Sequence, residues 1–313
     1  MANSIKVGVV GIGHLGSIHA RIYSQLQGAQ LVAVCDTQAD RARAAARQHR
    51  CEALTDFREL LKRVDAVSVA VPTQQHFPVA RESLALGVHT LIEKPITTTV
   101  EEADQLLKLV GKDGPILQVG HVERYNAALR RVQDSLSDPR FVEVHRLAPF
   151  QPRGTEVGVV LDLMIHDIDL LLGLIRKPVR RVDAVGVKVL TPFEDIANAQ
   201  VTFESGAVAN LTASRISRDA MRKFRIFQAD TYISMDLMKQ AVEIYRHKDG
   251  KISNERLAIT GEEPLKAELS AFLDSIRHNR PPPVSGREAR DVLALALEVT
   301  RLVHERRDDA PVR

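Results

Sequence analysis

Three glycines, Gly11, Gly13 and Gly16, stand as G-x-G-x-x-G between the apolar run IKVGVV and a helix-like stretch. That spacing suits phosphate chemistry. The first glycine permits a tight strand-to-helix turn, the second lets backbone approach a pyrophosphate, and the third allows close helix-to-sheet packing. Phosphates then sit at the positive end of the helix dipole, with His14 and Leu15 in the same turn. The next apolar run, LVAVCD, ends in Asp36, 20 residues after Gly16. A carboxylate there accepts hydrogen bonds from a free ribose 2′-hydroxyl and repels a 2′-phosphate, so the pattern predicts NAD rather than NADP. The plain alternative for Asp36 is a helix cap; Arg41 and Arg43, just beyond, read most simply as a solvated helix face.

Two further groups carry reactive side chains. Lys94 lies in Glu93-Lys94-Pro95 after an apolar run, which places a cation at the carboxyl end of a strand, the edge where α/β sheets bind ligands. Pro95 fixes the exit of the chain. Asp162 and His166 are four apart in an apolar stretch, which puts a carboxylate and an imidazole on one helical face. Such a pair fits general base catalysis: the imidazole titrates near neutrality and the carboxylate orients it. Asp169, three residues beyond, falls on the same side. The competing reading is a helix with solvated acids and a satisfied core histidine. A metal at HDID has no second His or Cys cluster to support it.

The elements that must position these groups alternate in the first 120 residues. IKVGVVG, LVAVCD, AVSVAVP, HTLIEKP and ILQVGH are separated by helical patterns, which argues for a doubly wound parallel sheet. From about residue 121 the texture changes to long alternating strands with hairpin turns such as ESG and KDG, an α+β domain with a large open antiparallel sheet. A helix is expected at about 158–175, and two more at about 264–279 and 286–307, separated by PPPVSG. The expected domains are 1–121 and 122–313, with the helix at 286–307 able to pack back on the first. An open sheet face asks to be covered, so a homodimer or homotetramer through that face is expected.

Composition narrows the function classes. The 313 residues carry 43 basic and 40 acidic side chains, net +3, with 4% aromatic content, so the footprint of nucleic-acid binding is missing. Two cysteines without C-x-x-C spacing predict a reduced, cytoplasmic protein. The polar start lacks a basic n-region and a cleavage pattern, so no signal peptide is expected. The most apolar window contains Asp162, His166, Asp167 and Asp169 and is not read as a membrane span.

The segments VGVVGIGHLGSIHARIY, AVPTQQHFPVA, LIEKP, VGHVERYN and LDLMIHDIDLL together resemble the glucose-fructose oxidoreductase, inositol dehydrogenase and rhizopine-catabolism family over nearly the whole chain. The resemblance implies a Rossmann domain followed by an open-sheet domain and NAD-dependent oxidation of a sugar hydroxyl. It implies that Lys94 contacts the reacting hydroxyl and the cofactor ribose, that His166 exchanges the proton, and that Asp162 supports the site. Cofactor contacts are implied at Thr73, His76, Glu93 and Arg124, and substrate contacts at Tyr125 and Asn126. Arg153, in PFQPRG, suits a diphosphate, with a surface arginine as the alternative. Within the family, VGHVERYNAAL and VGVVLDLMIHDIDLLLGL are most similar to members that oxidise C3 of UDP-N-acetylglucosamine for 3-amino sugar, lipid A type biosynthesis. A UDP-sugar is then the small-molecule partner. The alternatives are UDP-N-acetylglucosaminuronate, an inositol-like polyol, or a non-catalytic dinucleotide sensor.

Overall fold

Six strands, β1 (Ile5–Val10), β2 (Ala29–Cys35), β3 (Glu52–Leu54), β4 (Ala66–Val69), β5 (His89–Glu93) and β6 (Leu117–Gly120), form one parallel sheet in the order β3-β2-β1-β4-β5-β6. The structure, a computed structural model, describes residues 4–111, 114–152, 154–259 and 263–308. Helices α1 (His14–Tyr23), α2 (Ala39–His49), α3 (Phe57–Leu61), α4 (His76–Ala85) and α5 (Val100–Val110) make the crossovers. Helices on both faces require strands that are apolar on both sides; every residue of β4, AVSV, is buried. The strand order reverses between β1 and β4, the switch point at which such sheets bind ligands. The three-residue β3 is an edge strand that the apolar-run pattern misses.

The second sheet has eight strands in the order β14-β13-β12-β11-β7-β10-β9-β8. The chain reaches it through α6 (Ala127–Val132), lays down β7 (Phe141–Leu147), then makes a π-helical turn, Val160–Met164, that runs into α7 (Ile165–Ile175). The remaining strands follow: β8 (Val179–Val187), β9 (Ile196–Phe203), β10 (Val208–Ser214), β11 (Met221–Phe227), β12 (Thr231–Asp236), β13 (Ala241–Lys248) and β14 (Lys251–Leu257). All neighbours are antiparallel except β7 and β10, which run parallel at the centre. Strict alternation gives one buried face, with Val142 and Val144 of β7 aligned with Ala209 and Leu211 of β10, and one open face.

Two helices close the chain, α8 (Pro264–His278) and α9 (Gly286–Asp308). The chain divides into two units, residues 1–122 with 263–293, and residues 123–262 with 294–313, the division falling inside α9. α8 therefore belongs to the first unit, where a single boundary at 121/122 would have placed it in the second. Its Leu269, Phe272 and Leu273 share one core cluster with Ile5, Val7 and Tyr23. No helix among the described residues is long and apolar enough to cross a membrane.

Candidate active site

At the carboxyl edge of the parallel sheet the three glycines do three different things. Gly11 has φ +90, and a Cβ there would lie 2.5 Å from the Ala70 carbonyl oxygen. A Cβ at Gly16 would overlap the carbonyl oxygen of Gly11. At Gly13 a Cβ would meet nothing within 4 Å, which leaves open room beside the backbone where a phosphate can approach. Gly13 brings no side-chain cap to α1, and the first turn carries no acid. Its amide N–H groups are thus left for an anion, and His14 and Leu15 beside them are exposed.

Asp36 follows β2 and is half-buried; its Oδ2 accepts from the Ile12 N–H at 2.8 Å and its Oδ1 from the Gln38 N–H at 2.8 Å. One carboxylate therefore ties the glycine turn to the start of α2 and keeps lone pairs for ribose hydroxyls. Asp36 is not the cap of α2: that position is Gln38, which brings no side-chain cap bond. The open cradle, the uncapped helix start and the acid together fit a dinucleotide.

Lys94 leaves β5 half-buried, and the Lys94–Pro95 peptide is cis. Behind it, Glu93 is 8% exposed and accepts from His19 Nε2 at 2.9 Å. Burial opposes charge on Glu93, but the His19 hydrogen bond and the nearby His19, Lys94 and His76 hold its carboxyl below the usual range. His19 Nδ1 is buried with no hydrogen-bond partner among the described residues. Thr73 is half-buried in the short 3₁₀ turn Thr73–Gln75 after β4. His76 is 1% exposed; its Nδ1 lies 2.7 Å from the Pro95 carbonyl and its Nε2 2.9 Å from the Val71 carbonyl. Burial pushes its pKa down against the pull of the two carbonyls, and the ring brackets the turn after Lys94.

In the second unit Asp162 lies in the π-helical turn and His166 in the first turn of α7, both half-buried. The sequence suggests an uninterrupted α-helix here. The wider turn, with its i→i+5 bonding, still returns a four-residue spacing to one side, and such turns collect at functional sites. Arg215, just past β10 and 4% exposed, donates from Nη1 to the Gly154 carbonyl at 2.9 Å and from Nη2 to the Val157 carbonyl at 2.8 Å. The same Nη2 lies 4.0 Å from Asp162 Oδ2. Gly154 has φ +79, and a Cβ on it would lie 3.0 Å from that oxygen, so the loop passes directly over the carboxylate. Arg153 lies outside the described residues.

Charged partners pin α7 on both sides of its histidine. Arg146 donates Nε and Nη2 to Asp167 at 2.8–3.0 Å and Nη1 to Glu123 at 3.1 Å. Arg124 donates Nε to Asp169 Oδ2 at 2.8 Å and lies over Gly173, where a side chain would collide with its guanidinium. Tyr125 is buried at 6% exposure. Asn126 caps α6 through Oδ1 and donates its amide to the Leu237 carbonyl at 3.1 Å and to Glu123 at 3.4 Å. Its polar atoms are thus engaged within the fold.

Residues 5–121 match the model of an oxidoreductase family with an NAD-binding Rossmann fold, and residues 128–233 match the GFO/IDH/MocA C-terminal domain. The chain belongs to the GFO/IDH/MocA oxidoreductase family. It is 40% identical over 302 residues to the UDP-N-acetylglucosamine 3-dehydrogenase of Acidithiobacillus ferrooxidans, covering 94% of this chain and 96% of that one. A solved structure of that enzyme superposes with a TM-score of 0.92, covering 96% of this chain and 98% of that one. Identity to the myo-inositol 2-dehydrogenase of Thermotoga maritima is 24% over 326 residues, 97% of each chain. The scyllo-inositol dehydrogenase of Lactobacillus casei, solved with NAD(H) and scyllo-inositol, shares the fold at a TM-score of 0.81 and 20% identity, covering 97% and 98%.

As a member of the GFO/IDH/MocA family the chain uses NAD, in keeping with the cradle and Asp36. Motif reading passes over Arg146, Arg215, Glu123 and Glu194. Glu194 is 1% exposed and accepts from the Val160 N–H at 3.4 Å, at the start of the π-helical turn, where glycine at 158 leaves it room. A signal for the two arginines is present in the alternation of their strands. Val142, Val144 and Arg146 share the buried face of β7, as do Ala209, Leu211 and Ala213 along β10, with buried Arg215 one residue past its end. A charge at an inward position of an alternating strand needs a buried partner.

Proposed function

We propose that the protein oxidises the C3 hydroxyl of UDP-N-acetylglucosamine to the 3-keto sugar nucleotide, with NAD as acceptor. The observation that carries this reading is the full-length 40% identity to an enzyme of that name, with Lys94, Asp162 and His166 present. NAD held by the glycine turn and Asp36 would supply the acceptor for the hydride of the ring carbon. His166 removes the hydroxyl proton, Asp162 orients the imidazole and stabilises its charged form, and Lys94 stabilises the developing alkoxide. Chain breakage and covalent enzyme intermediates have no place in this chemistry. The 3-keto product suits transamination, which would deliver a 3-amino sugar for lipid A type glycans.

We assign cofactor binding to the first unit and the sugar nucleotide and self-association to the second. The open face of the eight-stranded sheet supports a homodimer or homotetramer. An aromatic ladder, Phe141, Phe227, Tyr232 and Tyr245, crosses four strands there with ring centroids 5.7, 4.7 and 5.5 Å apart. On the same face Val185 and Val187 are 50% and 52% exposed. Both cysteines are free thiols, in keeping with a cytoplasmic setting.

The test is absorbance at 340 nm with NAD and, in parallel, UDP-N-acetylglucosamine, UDP-N-acetylglucosaminuronate, UDP-glucose and myo-inositol. A rise with the first alone, with the keto carbon located by NMR, supports the reading. A rise with another compound moves the substrate, and NAD binding without turnover favours a dinucleotide sensor.

A further inference from the structure

We infer that Arg215 is a positioning residue for Asp162, acting through the 154–157 loop. The inference rests on the placement of Asp162 in the working site. Arg215 is nearly out of solvent, yet among the described residues its nearest carboxylate, Asp162, stands 4.0 Å away; its two terminal nitrogens go instead to the carbonyls of Gly154 and Val157. Those bonds hold both ends of a short loop down on the π-helical turn. At the loop's near end Gly154 passes so close that a methyl group would press on the Asp162 carboxylate. The charge left over faces Asp162 Oδ2 across 4.0 Å, a distance of Coulomb attraction rather than a hydrogen bond.

The base of this arrangement is rigid. The Arg215 N–H is bonded to the Asp195 carbonyl at 2.9 Å, and Asp195 Oδ2 gathers the N–H groups of Val189, Leu190 and Thr191 at 2.6–3.0 Å. Glu194, its neighbour, holds Val159 through its carbonyl at 3.0 Å and Val160 through its carboxylate at 3.4 Å. Loop, π-helical turn and Arg215 are thus anchored to one two-residue segment. The guanidinium is the one part of it that reaches both the loop and the carboxylate. A lysine keeps the charge but is a point donor that cannot bridge two carbonyls. Charge and bridging can therefore be separated experimentally.

The experiment compares the full-length protein with Arg215→Lys, Asp162→Asn and the double variant. It reads kcat and KM for UDP-N-acetylglucosamine, NAD affinity, melting temperature and hydrogen exchange of the NAD-bound protein. Arg215→Lys should remain folded with NAD affinity retained, lose roughly tenfold or more in kcat/KM, and exchange faster in the peptide spanning 154–162. The double variant should be no worse than Asp162→Asn alone, because Arg215 acts through that carboxylate. Losses that multiply, or unchanged exchange over 154–162, overturn the role whatever the substrate proves to be. Full activity in Asp162→Asn overturns the site reading as well, whereas an impaired Asp162→Asn beside an unaffected Arg215→Lys overturns this inference alone. Should Arg215→Lys fail to fold, Gly154→Ala, which crowds the same carboxylate from above, must show the same non-additivity with Asp162→Asn.

Discussion

Arg146 grips Asp167 with two nitrogens, Nε at 2.9 Å and Nη2 at 2.8 Å, and Asp167 is the residue directly after His166. The contact is buried at both ends, 3% and 2% exposed, and fixes the rotation of α7 at its histidine. Burial raises the Asp167 pKa against the pull of Arg146. Arg146→Met leaves Asp167 and Glu123 as buried acids without this partner, and should cost roughly 3–5 kcal/mol in urea unfolding. A carboxyl raised in the fold contributes stability below its unfolded pKa, near 4, and loses it as pH rises through the folded value. Without Arg146 the Asp167 pKa rises further, so the variant's deficit should be larger at pH 8 than at pH 5. A deficit independent of pH would show that the pair does not carry this charge.

The glycines separate folding from binding. Gly16→Ala forces a methyl group onto the Gly11 carbonyl and should destabilise by about 1–3 kcal/mol in thermal unfolding. Gly13→Ala places its methyl in open space and should melt like the parent, while NAD binding measured by fluorescence titration weakens by about tenfold or more. Equal melting losses in both variants would contradict the division of duties between them.

Asp36→Ser tests cofactor choice. A hydrogen bond to a charged acceptor is worth about 1.5–3 kcal/mol, so the preference for NAD over NADP should fall by roughly ten- to a hundredfold in competitive titration. The same variant should lose some stability, because the Ile12 and Gln38 N–H groups lose their shared acceptor.

Lys94→Met should lower turnover by roughly two to four orders of magnitude with little change in NAD affinity, as expected for loss of a positioned charge at a developing alkoxide. Unchanged turnover removes Lys94 from the mechanism.

The glycine turn, Asp36 and the rim lysine are legible in sequence because each is a local spacing tied to one strand end. The helices at 264–278 and 286–308 are legible for the same reason: Pro264, Asn279 and the PPP run punctuate them. The π-helical turn is not, because LDLMIHDIDLL satisfies an α-helical pattern equally well and the extra residue is imposed by what lies beneath, Glu194 among it. Arg215 is distant from Asp162 in sequence, and only the register of β10 brings it under the loop. The motif PTQQH does not show that both ring nitrogens of His76 lie against backbone carbonyls, those of Val71 and Pro95. Spacing shows which residues share a face; it does not show which of their atoms are already taken.

The return of α8 to the first unit bears on how the chain is made. Leu269, Phe272 and Leu273 complete a core begun by Ile5, Val7 and Tyr23. The 140 residues of 123–262 must therefore be synthesised before that core can close, as an insertion between its two parts. The glycine turn and its sheet must wait for α8 to finish folding, and a fragment ending before α8 is expected to be recovered as a chaperone client rather than as a small NAD-binding protein.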